Sequence, residues 1–200
     1  GYARRGCELD DAMACHLLGV VTYNGVGVSA DVAAGFEHFA RACDLGWGEA
    51  CATLGASLSQ GHNITADPAR GVAVLRRGCQ LASYLACRVL AATVQTTDGA
   101  AAVAAATRAC DGGDAGGCAV LGLCFADGLG VARDLERANQ LFRSACERAE
   151  GESAAGGCYY LARSYLDGRG VAADPAAAVP LLETACEHDW GEACTALADL

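Results

Sequence analysis

An all-α solenoid of helix-turn-helix repeats is the fold class this sequence predicts, and three observations predict it. Twelve of the thirteen cysteines fall into six pairs at a near-fixed offset. Cys7/Cys15, Cys43/Cys51, Cys79/Cys87, Cys110/Cys118 and Cys186/Cys194 are eight apart, and Cys146/Cys158 is twelve apart. The first cysteines recur at steps of 36, 36, 31, 36 and 40 residues, the length of a two-helix repeat. Between the pairs the same leucine, glycine and aspartate markers return in the same order, and no strand pattern interrupts them.

Each marker has a local physical reason. The second cysteine of a pair opens a helix with a leucine three residues on and a small residue four on: Leu18-Gly19, Leu54-Gly55, Leu90-Ala91, Leu121-Gly122, Leu161-Ala162 and Leu197-Ala198. The small residue lets a partner helix approach closely. Ten residues after the cysteine stands a loop glycine (Gly25, Gly61, Gly128, Gly168), where a turn needs positive φ. Six residues later an aspartate (Asp31, Asp67, Asp134, Asp174, with Asp98 in a shortened repeat) is placed to cap the second helix, and Pro68 and Pro175 follow at a position that lacks a hydrogen-bond partner anyway. Twelve residues beyond each aspartate the next cysteine arrives. Phe36/Phe39, Val72/Leu75 and Leu141/Phe142 give these second helices an apolar face, and Pro180 is expected to kink one of them. The short step reflects a missing glycine loop between Cys87 and Asp98, and the long step reflects four extra residues around Glu150, Gly151, Glu152 and Ser153. About five repeats result, at approximately 12–46, 47–82, 83–113, 114–150 and 151–189, with partial repeats at both ends of a single solenoid.

Composition narrows the chemistry. The formal net charge is −10, and all fourteen basic residues are arginine. Without lysine there is no Walker-type phosphate loop, no Ser-x-x-Lys acylating pair and no Schiff-base chemistry. The acidic balance argues against nucleic acid as a partner, because phosphates call for a basic face. No apolar run approaches the roughly 20 residues of a membrane span, and the first residues contain no signal-peptide core, so a mature form or an excised fragment is expected.

Eight residues of continuous helix would hold two cysteines about 12 Å apart, beyond the ~4.4–6.8 Å that a disulfide accepts. A turn must therefore lie within each pair, and Asp44-Leu45-Gly46-Trp47-Gly48 and Asp111-Gly112-Gly113-Asp114 supply one. Disulfide staples between the second helix of one repeat and the first helix of the next are the favoured reading, at about 2.5 kcal/mol each by loop closure. Zinc is disfavoured by two thiols per joint, no Cys-x-x-Cys and no recurring histidine; reduced buried thiols are the other alternative. Disulfides imply an oxidising compartment: bacterial periplasm, cell surface or secretion. Cys124 has no mate and reads as a free thiol in the core beside Leu121 and Phe125.

The Cys-x7-Cys joints, the Leu-Gly step, the Gly-x-Gly-Val loops (25–28, 128–131, 168–171) and the capping aspartates resemble the Sel-one-like repeat family. Within it they resemble the cysteine-rich branch typified by the Helicobacter cysteine-rich proteins. The resemblance covers nearly the whole chain and implies a right-handed superhelix of antiparallel helix pairs. The third repeat departs from it by losing its loop.

Candidate chemistry is sparse. The glycine loops follow no strand, so they read as turns rather than phosphate cradles. The carboxylates recur at caps, and His16, His38, His62 and His188 fit no ligand spacing. No catalytic residue, metal ligand or cofactor is assigned. Trp47 and Trp190 stand in identical Trp-Gly-Glu-Ala-Cys segments and are expected to pack over the joints.

If the first helices line the concave face, the groove presents positions one, five, eight and nine after each opening cysteine. These give His16, Val20, Tyr23 and Asn24; Gln60; Arg88 and Gln95; Leu123 and Asp127; and Tyr159, Arg163 and Asp167. Tyr159 and Arg163, one helical turn apart, are the most binding-like pair. The first functional reading is thus a non-enzymatic extracytoplasmic adaptor that binds a protein or peptide in this groove. The resemblance also brings in penicillin or peptidoglycan-fragment binding with weak β-lactam hydrolysis, for which the sequence has neither Ser-x-x-Lys nor Lys-Thr-Gly. A haem- or thiol-handling assembly factor is the third reading. The sequence leaves partner identity and oligomeric state open.

Overall fold

The computed structural model describes residues 1–148 and 152–200, and the side chains of all of these except 152–154. The insertion read around Glu150 and Gly151 lies outside the described residues. Twelve α-helices and no strand occur among the described residues, and they divide into two compact units, Gly1–Thr93 and Val94–Leu200.

The first unit contains α1 (Tyr2–Glu8), α2 (Ala12–Asn24), α3 (Val32–Asp44), α4 (Gly48–Gln60), α5 (Pro68–Gln80) and α6 (Tyr84–Val94). Helix α2 packs on α3 and α4 on α5, each pair an antiparallel hairpin. In the second unit α7 (Gly99–Asp111) precedes the hairpins α8 (Ala115–Asp127) with α9 (Leu135–Arg148) and α10 (Glu152–Asp167) with α11 (Pro175–Glu187), followed by α12 (Gly191–Ala198). Helix α11 continues through Pro180 as one element.

The caps follow from the aspartates. The carboxylates of Asp31, Asp67, Asp98, Asp134 and Asp174 each accept from the backbone N–H three residues on, at 2.9–3.1 Å. Asp11 and Asp114 cap the first helices α2 and α8 in the same way, at 2.6 and 2.7 Å. Gly25, Gly61, Gly128 and Gly168 end the first helices in the left-handed region, with φ between 65° and 73°.

Six disulfides join consecutive helices: Cys7–Cys15 ties α1 to α2, Cys43–Cys51 α3 to α4, Cys79–Cys87 α5 to α6, Cys110–Cys118 α7 to α8, Cys146–Cys158 α9 to α10 and Cys186–Cys194 α11 to α12. Their Cα atoms lie 4.4–4.9 Å apart. The turn that achieves this places the third residue after the first cysteine in the left-handed region: Asp10, Gly46, Ala82, Gly113 and Asp189 have φ from 61° to 98°.

The structure corrects the expectation that the second cysteine opens its helix. Cys15, Cys51, Cys87, Cys118 and Cys194 are each the fourth residue of their helix, and Cys158 lies deeper still in α10. The helix starts at the cap, one turn earlier, so that the cysteine side chain turns inward rather than standing at the frayed end. Burial also differs among the staples. Cys15, Cys51, Cys87, Cys118 and Cys158 are fully buried among alanines and single leucines such as Leu75 and Leu182, so these bonds serve as core. Cys194 departs from that pattern: it and its partner Cys186 are only half-buried, because α12 packs chiefly on α11 and lacks the second neighbour that covers α8 or α10.

Small residues at helix contacts set the spacing. A Cβ on Gly55 would come within 2.6 Å of the Leu75 side chain, so α4 and α5 meet at a distance that only a bare Cα permits.

Candidate functional site

In the second unit α8, α9 and α10 pack against one another in all three combinations. Gly122 on α8 and Gly157 on α10 make this possible: a Cβ on Gly122 would lie 2.5 Å from the Phe142 ring, and one on Gly157 would lie 2.9 Å from the Phe142 carbonyl oxygen. Helix α9 is thereby drawn in from both sides. Phe142, 3% exposed, stacks on Tyr160 with ring centroids 5.4 Å apart. Above this floor the three helices leave a cavity of about 180 Å³. Leu123, Ala126, Leu135, Ala138 and Phe142 form its apolar wall, and Tyr159 and Tyr160 add two rings.

Trp190 holds those rings in place. Its indole lies 5.8 Å from Tyr159 and 6.1 Å from Tyr160, and Tyr159 and Tyr160 meet edge to face at 5.4 Å. The side chain also covers Gly156, where no Cβ intervenes. Burial pushes the Tyr160 phenol above its ordinary pKa, and the nearby Tyr159, Glu192 and Asp127 add to the effect, so it stays protonated at neutral pH. Trp190 itself is positioned four residues before Cys194, at the turn that the Cys186–Cys194 bond closes. That half-buried staple thus acts on the site at one remove, by fixing the turn that carries the indole.

The rim is polar. Asp127 and Asp167 are the last residues of α8 and α10, so two carboxylates and two negative helix ends edge the same cavity. Arg163 donates to the Tyr159 hydroxyl at 3.3 Å and to Asp167 at 3.4 Å. These contacts, that with Tyr159 foremost, raise the guanidinium pKa and hold it charged. Arg169 reaches Asp127 at 3.9 Å. Asn139 on α9, 5% exposed, donates to the Arg169 carbonyl at 2.7 Å and fixes the 168–171 loop over the cavity.

Sel1 repeats match residues 12–47, 115–149 and 155–190, together more than half of the sequence. The chain belongs to the Sel1 repeat family. Solved structures agree on the fold. A Sel1 repeat protein from Oxalobacter formigenes superposes with a TM-score of 0.78 at 23% identity, over 92% of this chain and 76% of that one. A protective antigen of uropathogenic Escherichia coli strains, displaying an SLR fold, gives a TM-score of 0.79 at 24% identity over 98% of this chain, which spans 42% of the antigen. Helicobacter pylori cysteine rich protein B gives 0.52 at 26% identity, over 64% of this chain and 93% of that one. No curated protein matches the sequence. Sel1 repeats are scaffold modules that typically mediate protein–protein interaction.

Within this Sel1 protein the expected groove residues separate into groups. Leu123, Asp127, Tyr159, Arg163 and Asp167 come together at the cavity. In the first unit His16 packs against Phe39 and Trp47 at 5.6 and 6.0 Å, and Tyr23 packs edge to face on Phe36 at 5.6 Å. The Tyr23 hydroxyl accepts from Asn63 at 2.7 Å, whereas Asn24 bonds back to the Val20 carbonyl. Gln60 is exposed at the end of α4, and Arg88 and Gln95 are half-buried. Trp47 and Trp190 play one role twice: each indole, just outside its helix, lies on the residue that follows the preceding repeat's second cysteine, His16 and Tyr159.

Two cavity residues escape the groove rule and are still visible as column breaks. Asn139 occupies a position that is Phe36, Val72, Val103 and Val179 in the other second helices. Arg169 stands where Val26 and Leu129 occupy the other two Gly-x-Gly-Val loops, the Gly61 loop having His62 there. Cys124 is the free cysteine, fully buried, and burial, aided by Asp127, raises its thiol pKa. No three His, Cys, Asp or Glu side chains converge as a metal site among the described residues, and no described helix is long and apolar enough to cross a membrane.

Proposed function

We propose that this Sel1 protein is a non-enzymatic extracytoplasmic scaffold that binds a protein or peptide segment along the concave face formed by its first helices. The observation that carries this reading is the convergence of Asp127, Tyr159, Arg163 and Asp167 on one cavity between α8 and α10. Aromatic and arginine side chains around a partly apolar pocket are the composition of binding hot spots. The carboxylates at hand are engaged as helix caps or with arginines, which suits a recognition surface better than acid–base chemistry. The six disulfides support an oxidising location, the periplasm, the cell surface or the exterior.

Selection of a random peptide library on the immobilised chain tests the proposal. Enriched peptides should lose binding to a Tyr159→Ala/Arg163→Ala variant whose thermal melt matches the parent. Failure to enrich any sequence, or equal binding to the variant, would remove the groove from consideration.

A further inference from the structure

Resting on the peptide-binding reading, we propose that the α8–α9–α10 cavity takes the side chain of an arginine or lysine from the partner segment. Size comes first. At about 180 Å³ the cavity is smaller than the roughly 300–1,000 Å³ of small-molecule sites, so it suits one long side chain rather than a whole ligand. Its chemistry is graded. The wall of Leu123, Ala126 and Phe142 with the Tyr160 ring suits an aliphatic stem, and the rim gathers Asp127 and Asp167 at the negative ends of α8 and α10. An apolar stem with a cationic head matches both parts.

The carboxylates retain capacity for such a head. Asp127 and Asp167 are 54% and 42% exposed, and their contacts to Arg169 and Arg163 are long, at 3.9 and 3.4 Å. An ionised carboxylate accepts about four hydrogen bonds, so neither group is saturated. The chain's own guanidiniums thus occupy these acceptors loosely, and an incoming one adds to them or replaces them. An acidic or phosphorylated side chain would meet two carboxylates and two helix C-termini, and could reach Arg163 and Arg169 only in competition with Asp167 and Asp127. Charge complementarity extends beyond the cavity: the net charge of −10, with no lysine anywhere, draws basic segments toward the chain.

Two short-peptide libraries, identical except for arginine or its uncharged isostere citrulline at a fixed central position, test the proposal on the full chain. Retention of the arginine library should exceed that of the citrulline library at least tenfold and fall as salt is raised. An Asp127→Asn/Asp167→Asn variant, verified by its melt and disulfide content, should lose the difference. Equal retention of both libraries would overturn the basic-side-chain assignment while leaving peptide binding standing. An arginine preference that survives in the variant would overturn this cavity as its source. Retention of neither library would overturn both readings.

Discussion

Replacing Cys110 and Cys118 together by alanine removes one staple and leaves the helices it joins chemically intact. The bond closes a loop of eight residues between α7 and α8, and chain-entropy reasoning assigns about 2.5 kcal/mol to a loop of that length. Packing adds to this. Cys118 is fully buried and Cys110 is 8% exposed, so two sulfurs leave the interior, at roughly 0.5–1 kcal/mol each for deletions of this size. The total is about 3.5–4.5 kcal/mol, against a typical domain stability of about 5–15 kcal/mol. With a urea slope of about 2 kcal/mol/M, the midpoint for the second unit should fall by roughly 2 M. The assay is urea unfolding of oxidised parent and variant, followed by far-ultraviolet circular dichroism. The matching change at Cys186 and Cys194 supplies an internal control: the loop is equally long, but the half-buried sulfurs forfeit less packing, so the loss should be smaller. A midpoint unchanged by the Cys110/Cys118 substitution, or a parent insensitive to reductant, would refute the assignment of stability to the staples.

Three further outcomes are expected. Alkylation under denaturing, non-reducing conditions should label Cys124 alone, and mass mapping should return the six neighbouring pairs; labelling of all thirteen cysteines would contradict the bonded state. Ala82, with φ 61°, carries a strain that Gly46 and Gly113 avoid at the matching position, so Ala82→Gly should stabilise the first unit by up to about 1 kcal/mol; a lower melting temperature would refute this. Burial beneath Phe39 and Trp47 lowers the His16 pKa from 6.5, against a smaller opposing pull from Glu49. Below that value the unfolded chain binds the proton more readily than the folded one, so this contribution to stability is complete at neutral pH and is lost on acidification. The parent should therefore lose melting temperature below about pH 6.5, His16→Phe should lose less, and identical pH profiles would remove His16 as the cause.

Most of the scaffold was legible in the sequence because each marker answers a single local demand. Loop glycines at positive φ, aspartate caps and cysteines at the joint all act within one or two turns of chain, so spacing alone locates them. The left-handed residue at the cysteine joint was harder to see, since alanine and aspartate occupy it as well as glycine. Spacing also made Cys194 look equivalent to Cys118, because both end an eight-residue step; their different burial depends on which helices lie alongside, and the step does not encode that. The cavity was legible only in part. Helical periodicity placed Asp127, Tyr159, Arg163 and Asp167 on one face, but grouped them equally with His16 and Gln60. What distinguishes the former is tertiary: Gly122 and Gly157 admit Phe142, and Asn139 holds the Arg169 loop over the resulting space. Contacts between residues 30 apart leave no spacing rule, and only the polar residue in an apolar column signals them.

The central claim, that the α8–α10 face is the working surface, is tested most directly by a hydrogen-exchange footprint. A peptide selected from the random library would be added to the full oxidised chain. Protection should concentrate at the C-terminal halves of α8 and α10 and in the 168–171 loop. Protection confined to α11 or to the first unit, with that cavity unchanged, would contradict the account.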